Sequence, residues 1–327
     1  MTAPELEIHL DEEMLSRALR ADARAGLTDD PKWLPPKYFY DARGSDLFEE
    51  ITRLPEYYPT RCERAVLVER AADIARLTGA RTLVELGSGS SEKTRLLLDA
   101  LTARGTLRQF VPLDVSQAAL RASTAAIAAD YPALRVHGVV GDFFSDHLKL
   151  LPRDGTRLVA FLGGTIGNLL PAERADFLRA VRAVLDPGEW LLLGADLVKD
   201  PAVLVPAYDD PAGVTAEFNR NVLRVLNREL DAAFDPEAFA HVAVWDARQE
   251  WIEMRLRADR AMSVPVPGLG LTVEFAAGEE LRTEVSAKFR RDGLRGELAA
   301  ADLTLREWWT DPTGGFAVCL AVAGPPD

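Results

Sequence analysis

Residues 83–94 read LVELGSGSSEKT, an apolar run that breaks into glycines and serines and closes on Lys93-Thr94. A lysine-threonine pair after a glycine loop could cradle phosphate, and Gly87-x-Gly89 could open a dinucleotide-binding turn. Both chemistries need glycine where this chain carries Glu92. In a phosphate loop that position precedes the lysine, and in a dinucleotide turn it packs the helix on the strand. A carboxylate there would also repel phosphate. The remaining reading is a cofactor that needs close backbone approach but no anion cradle, S-adenosylmethionine. Glu85-x-Gly87-x-Gly89 fits it, with an acid ending a strand and glycines at the turn. By itself this pattern also suits an ordinary tight turn.

Further acids follow at matching places. Asp114 closes the next apolar run, FVPLDVS, where a carboxylate can take ribose hydroxyls. Gly141-Asp142-Phe143 follows the third run and offers an acceptor for an adenine amino group, with an aromatic beside it. Each acid alone is more often a helix cap or turn former. Three at successive strand ends gather on the sheet edge where such ligands bind, which favours a methyltransferase. The fourth run leads into FLGGTIGN, residues 161–168. There Gly163 and Gly164 permit backbone approach to a small substrate, and Asn168 supplies an amide. The Asn/Asp-Pro-Pro-aromatic box used to stack a flipped base is absent.

These residues need a parallel sheet to position them. Thr82–Leu86, Gln109–Leu113, Leu134–Val140, Arg157–Leu162 and Trp190–Ala195 are short apolar or β-rich runs suited to buried parallel strands. Between them, Glu92–Ala103, Gln117–Ala129 and Ala172–Leu185 carry helical patterns, the second opened by Ser116 as N-cap and the third stopped by Asp186-Pro187-Gly188. Such βα repeats predict an α/β, Rossmann-like doubly wound core with right-handed crossovers. The flanks differ. Residues 28–60 are rich in proline and aromatics, and residues 200–240 look helical. AHVAVWDARQEWIEMRLRA then reads as a hairpin, with further strands expected at Leu271–Phe275, Leu281–Phe289 and Gly315–Val322. The division expected is a core of 62–197 plus 287–327 and a second α+β lobe of 1–61 plus 198–286.

Composition bounds the function classes. The 327 residues are 48% hydrophobic and 27% charged, the balance of a soluble globular protein, with a net charge of -13. That charge argues against a nucleic-acid partner, which would need a basic stripe. Two cysteines, Cys62 and Cys319, and four scattered histidines give no disulfide framework and no metal-ligand spacing. The acidic start, MTAPELEIHLDEE, lacks the features of a signal peptide, and no apolar run approaches membrane-spanning length. A cytoplasmic protein without membrane or metal is expected.

Several segments together are more specific than the glycine loop. PKYFYDARGSDLFEEITRLPEYYPTR, VELGSGSSEKT, FLGGTIGN, AYDDPAGVTAEFNRNVL and AAGEELRTEVSAKF closely resemble the L-histidine Nα-methyltransferases of ergothioneine biosynthesis. The similarity runs from about Arg24 to the final strand. It implies a class I methyltransferase core with a substrate-binding lobe. It also implies trimethylation of the α-amino group of histidine to hercynine, with S-adenosylmethionine released as S-adenosylhomocysteine, by a monomer. By this resemblance Asn168 and Tyr208 hold the substrate carboxylate, and Tyr40, Gly163 and Thr165 lie at the amine, with Phe48 closing over it. Tyr57, Glu284 and Ser286 bind the imidazole, with Met254 against the ring. Gly87, Lys93, Asp114, Asp142 and Phe143 take the cofactor, joined by Glu85 and Gly89 of the loop.

Residue chemistry agrees with these roles. Glu284 and Ser286 are two apart on an expected strand and so share a face, where a carboxylate and a hydroxyl could read two imidazole nitrogens. By pattern alone, TEVSAK would be a solvated strand face and Met254 a core filler. Adjacent Tyr57 and Tyr58 point apart on an extended segment, and only the resemblance favours Tyr57. Lys93 could be an ordinary surface residue, or could reach the cofactor's carboxylate. The rival readings are an Nα-methyltransferase for tryptophan, tyrosine or another amino acid, and a catalytically silent S-adenosylmethionine-binding module. A P-loop NTPase fails at Glu92.

Overall fold

The computed structural model describes residues 4–89, 91–144 and 146–324; Ser90 of the glycine loop lies outside them. In chain order the strands are β1 (Glu5–Ile8), β2 (Thr82–Leu86), β3 (Gln109–Asp114), β4 (Arg135–Val140), β5 (Arg157–Phe161) and β6 (Trp190–Asp196). They continue with β7 (Phe239–Asp246), β8 (Trp251–Ala258), β9 (Met262–Val266), β10 (Leu271–Phe275), β11 (Glu280–Ala287), β12 (Leu303–Thr310) and β13 (Phe316–Ala323). The helices are α1 (Glu12–Thr28), α2 (Ala42–Ile51), α3 (Pro59–Thr78), α4 (Thr94–Ala103) and α5 (Gln117–Asp130). After these come α6 (Pro171–Val184), the short α7 (Pro201–Leu204), α8 (Val214–Leu230) and α9 (Arg291–Ala299). The chain divides into two compact units, one of Met1–Asp11, Arg61–Leu197 and Phe289–Asp327, the other of Glu12–Thr60 and Val198–Lys288.

The first unit is built on an eight-stranded sheet of order β1-β4-β3-β2-β5-β6-β13-β12. Strands β4, β3, β2, β5 and β6 are parallel, and β13 enters antiparallel between β6 and β12. This is the mixed α/β architecture expected. The chain order reverses at β2, which has β3 on one side and β5 on the other, and ligands bind at such a switch point beyond the strand C-termini. Strands β2 and β5 are buried along their whole length and are mostly apolar, with Glu85 in β2 and Arg157 in β5 as charged exceptions. The buried Arg157 at the start of β5 is held by its Nε, 2.9 Å from each carboxylate oxygen of Glu189 just before β6. A core of Leu83, Leu97, Phe110, Leu158 and Leu192 packs here, each fully buried large side chain contributing about 1.5–3 kcal/mol.

Two strands of this sheet were not legible. Residues 5–8, expected with the second lobe, pair in parallel with β4, Glu5 opposite His137 and Ile8 opposite Val140. They are too short and too acidic to announce a strand. LTLREWWT, which forms β12, carries charged residues at exposed and half-buried positions and gave no apolar run.

The second unit holds a three-stranded antiparallel sheet, β11-β8-β7, and a β10-β9 hairpin. Helix α8 starts where the Asp210 carboxylate accepts from the backbone of Val214 and Thr215, at 3.1 and 2.7 Å. Its buried face, Phe218, Val222, Leu223, Leu226 and Leu230, repeats at helical spacing and joins Phe239, Ile252, Met254 and Leu281 in one core.

Candidate functional site

In the first unit the loop after β2 is held by its own strand. Glu85, 5% exposed, accepts from Ser91 Oγ at 3.0 Å and from the Thr94 hydroxyl, so both its oxygens bind the loop to the start of α4. Burial pushes its carboxyl up to about 7, against the pull of those hydroxyls. Gly87 and Gly89 have φ of 67° and 48°, the left-handed region where a side chain would be strained. A Cβ on Gly87 would stand 3.5 Å from the Phe143 ring, while one on Gly89 would meet nothing. Phe143 therefore borders the loop, and Gly89 leaves room for a ligand.

The neighbouring strand ends converge on this loop. Asp114, closing β3, accepts from Gly89 N at 3.1 Å and from Ser116 N at 2.9 Å, and burial raises its carboxyl above the ordinary range. Beyond β4, Asp142 accepts from Phe144 N at 2.8 Å and donates its own N–H to His147 Nδ1 at 2.9 Å. Phe143 packs edge-on to Phe161, ring centroids 5.3 Å apart. Beyond β5, Gly163 and Gly164 have φ of 80° and 72°, and Thr165 donates to Leu162 O at 3.0 Å. Asn168 ends the single turn Thr165–Asn168 that follows.

Glu63, which carried no signal in the sequence, links two of these places. It is fully buried on α3, pairs with the Lys93 ammonium, and accepts from Gly163 N at 2.7 Å. Lys93 thus belongs to the site rather than to an ordinary surface. The loop also fits a ligand with polar groups: among the described residues the buried Ser88 hydroxyl finds no partner. A cofactor with a methionine carboxylate, ribose hydroxyls and an adenine ring suits this set of one cation, strand-end acids, open glycines and an aromatic edge.

In the second unit Glu284 of β11 lies opposite Met254 of β8, and Ser286 opposite Ile252. Directly opposed residues share a face, so these four side chains lie together. Glu284 is 8% exposed, Ser286 5% and Met254 2%, so TEVSAK is not a solvated face. Burial pushes the Glu284 carboxyl up to about 7, while the Lys288 charge pulls it down. Tyr208 Oη stands 2.8 Å from Ser286 Oγ.

Aromatic rings extend the cluster. Tyr57 packs edge-on to Tyr208 and to Phe48, centroids 6.4 and 6.1 Å apart, and Phe48 meets Tyr40 at 5.6 Å. Tyr58 instead accepts from Lys199 at 2.7 Å, which distinguishes the adjacent tyrosines. Tyr40 is exposed, with 40% of its surface open. Supporting residues without a sequence signal appear here as well. His241 Nε2 lies 2.8 Å from Tyr208 O, and its Nδ1 takes the Asn219 amide at 2.8 Å, which fixes the neutral ring with hydrogen on Nε2. Asn219 in turn accepts from Thr283, beside Glu284, at 2.6 Å.

Among the described residues no group of His, Cys, Asp and Glu is placed to hold a metal ion, and no helix is long and apolar enough to cross a membrane.

Comparison with known proteins agrees with this arrangement. The family described as histidine-specific methyltransferase, SAM-dependent, matches residues 19–323. The chain is 58% identical over 314 residues to histidine N-alpha-methyltransferase of Mycolicibacterium smegmatis, covering 96% of this chain and 98% of that protein. It is likewise 58% identical over 313 residues to the protein of the same name from Mycobacterium tuberculosis, covering 96% and 97%. Ergothioneine biosynthesis protein 1 of Neurospora crassa is 36% identical over 203 residues, 61% of this chain and 23% of that protein. Since the match takes in the strand-end loops of one unit and the aromatic and carboxylate cluster of the other, the chain belongs to the S-adenosylmethionine-dependent, histidine-specific methyltransferases.

Proposed function

We propose that the chain trimethylates the α-amino nitrogen of L-histidine to hercynine, the first step of ergothioneine biosynthesis. The observation that carries this reading is the buried Glu284–Ser286 pair beside Met254. A desolvated carboxylate is costly unless a ligand with hydrogen-bonding nitrogens meets it, and an apolar ring would leave it without a hydrogen bond. S-adenosylmethionine supplies an electrophilic sulfonium methyl when bound. In this reading Asp114 would take its ribose, Asp142 and Phe143 its adenine, and Lys93 its carboxylate, with Gly87 and Gly89 allowing close approach.

The chain's own residues then bind, orient and desolvate the amino acid. Asn168 and Tyr208 would fix the carboxylate, and Tyr57, Glu284 and Ser286 the imidazole, so that the amine is presented in one direction. Alignment of this kind supplies much of the rate enhancement of a displacement reaction. Nitrogen must be neutral to act as nucleophile, and Tyr40 at the amine is placed by the reading to orient it or relay its proton. Gly163, Thr165 and Phe48 would leave room for the ammonium as it grows. Transfer stops when nitrogen is quaternary and has no lone pair. In this reading the chain acts on histidine and its methylated intermediates as a monomer, on the resemblance, and in the cytoplasm, on the acidic start and rare cysteines; light scattering tests the oligomeric state.

The test is to incubate purified protein with S-adenosylmethionine and a panel of amino acids and follow product masses. Histidine gaining three methyl groups is the expected result; exclusive methylation of tryptophan would sink the substrate assignment, and no turnover would favour a silent cofactor-binding module. Glu284→Ala is expected to raise the histidine KM by about 100-fold, or roughly 2.7 kcal/mol, and to spare cofactor binding. Equal loss of both would indicate a folding role.

A further inference from the structure

Lys288 follows directly on β11, is 4% exposed, and has no role among those given above, although it closes the TEVSAK segment. Its ammonium donates to Tyr208 Oη and to Ser286 Oγ, each at 2.8 Å, and these two oxygens are themselves 2.8 Å apart. It also lies 4.5 Å from the centre of the Tyr208 ring. Burying an ammonium is costly unless lone pairs and opposite charge meet it. Two hydroxyls and the nearby Glu284 carboxylate do so here.

The triangle has a directional consequence. An ammonium only donates, so at each hydroxyl it occupies a lone pair, and no O–H can point towards it. The third edge takes one hydroxyl hydrogen. The other is then directed away from the lysine. Either hydroxyl can donate along that edge, so the pair keeps one hydrogen turned away from the ammonium, and without Lys288 each O–H could instead turn into the place the ammonium fills. The placement of the pair matters at both ends of an amino acid, since Tyr208 is assigned to the carboxylate and Ser286 to the imidazole.

We infer that Lys288 is a positioning residue for substrate selection, which holds the Tyr208 and Ser286 oxygens in place and keeps their hydrogens turned away from itself, so that an amino acid with a hydrogen-bonding ring meets a preset pair. This inference rests on the histidine reading above. It acts through the two hydroxyls, so its effect belongs to substrate binding and not to the cofactor.

Lys288→Met tests it. The histidine KM is expected to rise about tenfold or more, with kcat changed less than about threefold and S-adenosylhomocysteine affinity unchanged. Combined with Ser286→Ala, the rise should fall short of the product of the single rises by at least about threefold, because the two side chains act as one unit. A wild-type histidine KM in Lys288→Met, rises that multiply fully, or an equal loss of cofactor affinity would each overturn the inference. If the methionine variant does not fold, the same cycle is run with Lys288→Gln, and the same outcomes decide. Wild-type protein that fails to turn over histidine overturns the functional reading together with this inference. Wild-type turnover with an unaffected variant overturns this inference alone.

Discussion

In the proposed site, Glu284 would favour a ligand at the expense of the empty fold. Its carboxyl, pushed by burial to about 7 from an ordinary 4.5, takes up a proton on folding between those values. Its destabilising effect is therefore absent below the unfolded value, grows as pH rises through that window, and is complete above it. Glu284→Gln should accordingly stabilise the ligand-free protein at pH 8, by up to roughly 3 kcal/mol, and leave it little changed near pH 4.5. Thermal melts at the two pH values check this, and equal shifts at both would count against it. In the functional direction, histidine affinity of the wild type should fall as pH drops below about 7, and the Gln variant should lack that dependence, as calorimetry across the range would reveal. The pairing of Glu284 with Ser286 was readable from two-residue spacing, but its burial was not. A polar TEVSAK pattern looks solvated until β8 and the rest of its unit cover it.

At the level of elements, the site depends on a contact that no local pattern announces. Glu63 reaches Gly163 across 100 residues of chain, and β6 accommodates it by carrying Gly194, on which a Cβ would stand 2.0 Å from Glu63 Oε1. Gly194→Ala should push Glu63 away from Lys93 and Gly163 N, at about 1–3 kcal/mol in stability, and weaken cofactor binding as the loop loses its anchor. Melting and S-adenosylhomocysteine titration would measure both; wild-type values for each would dismiss Glu63 as an anchor. Strands β2, β3, β5 and β6 were legible because they are buried along nearly their whole length and are mostly apolar. Met262–Val266 escaped notice because it is short, exposed at Ser263 and Pro265, and interrupted by that proline. The strand-end acids were found since a parallel sheet must bring its C-terminal ends together. Glu63, His147 and Asn219 were not, since side chains on helices and turns can be matched to distant partners only in three dimensions.

For the molecule as a whole, a net charge of -13 argues against a general affinity for nucleic acid, and specificity is expected from the groups already named. The resemblance spanned both compact units, so the activity was legible in the sequence long before the supporting hydrogen bonds were. The first residues serve a different purpose. Strand β1 lies outermost beside β4, whose RVHGVV would otherwise present a bare row of backbone donors and acceptors. Two of its side chains are acidic, Glu5 and Glu7, and they reach Arg135 and His137 of β4, each at 3.1 Å. A chain beginning at Glu12 should retain the residues of both clusters and its turnover when dilute, yet self-associate at high concentration through the uncovered strand, as sedimentation would detect. Those four residues then act as a guard against aggregation, a service to solubility that leaves no trace in the chemistry.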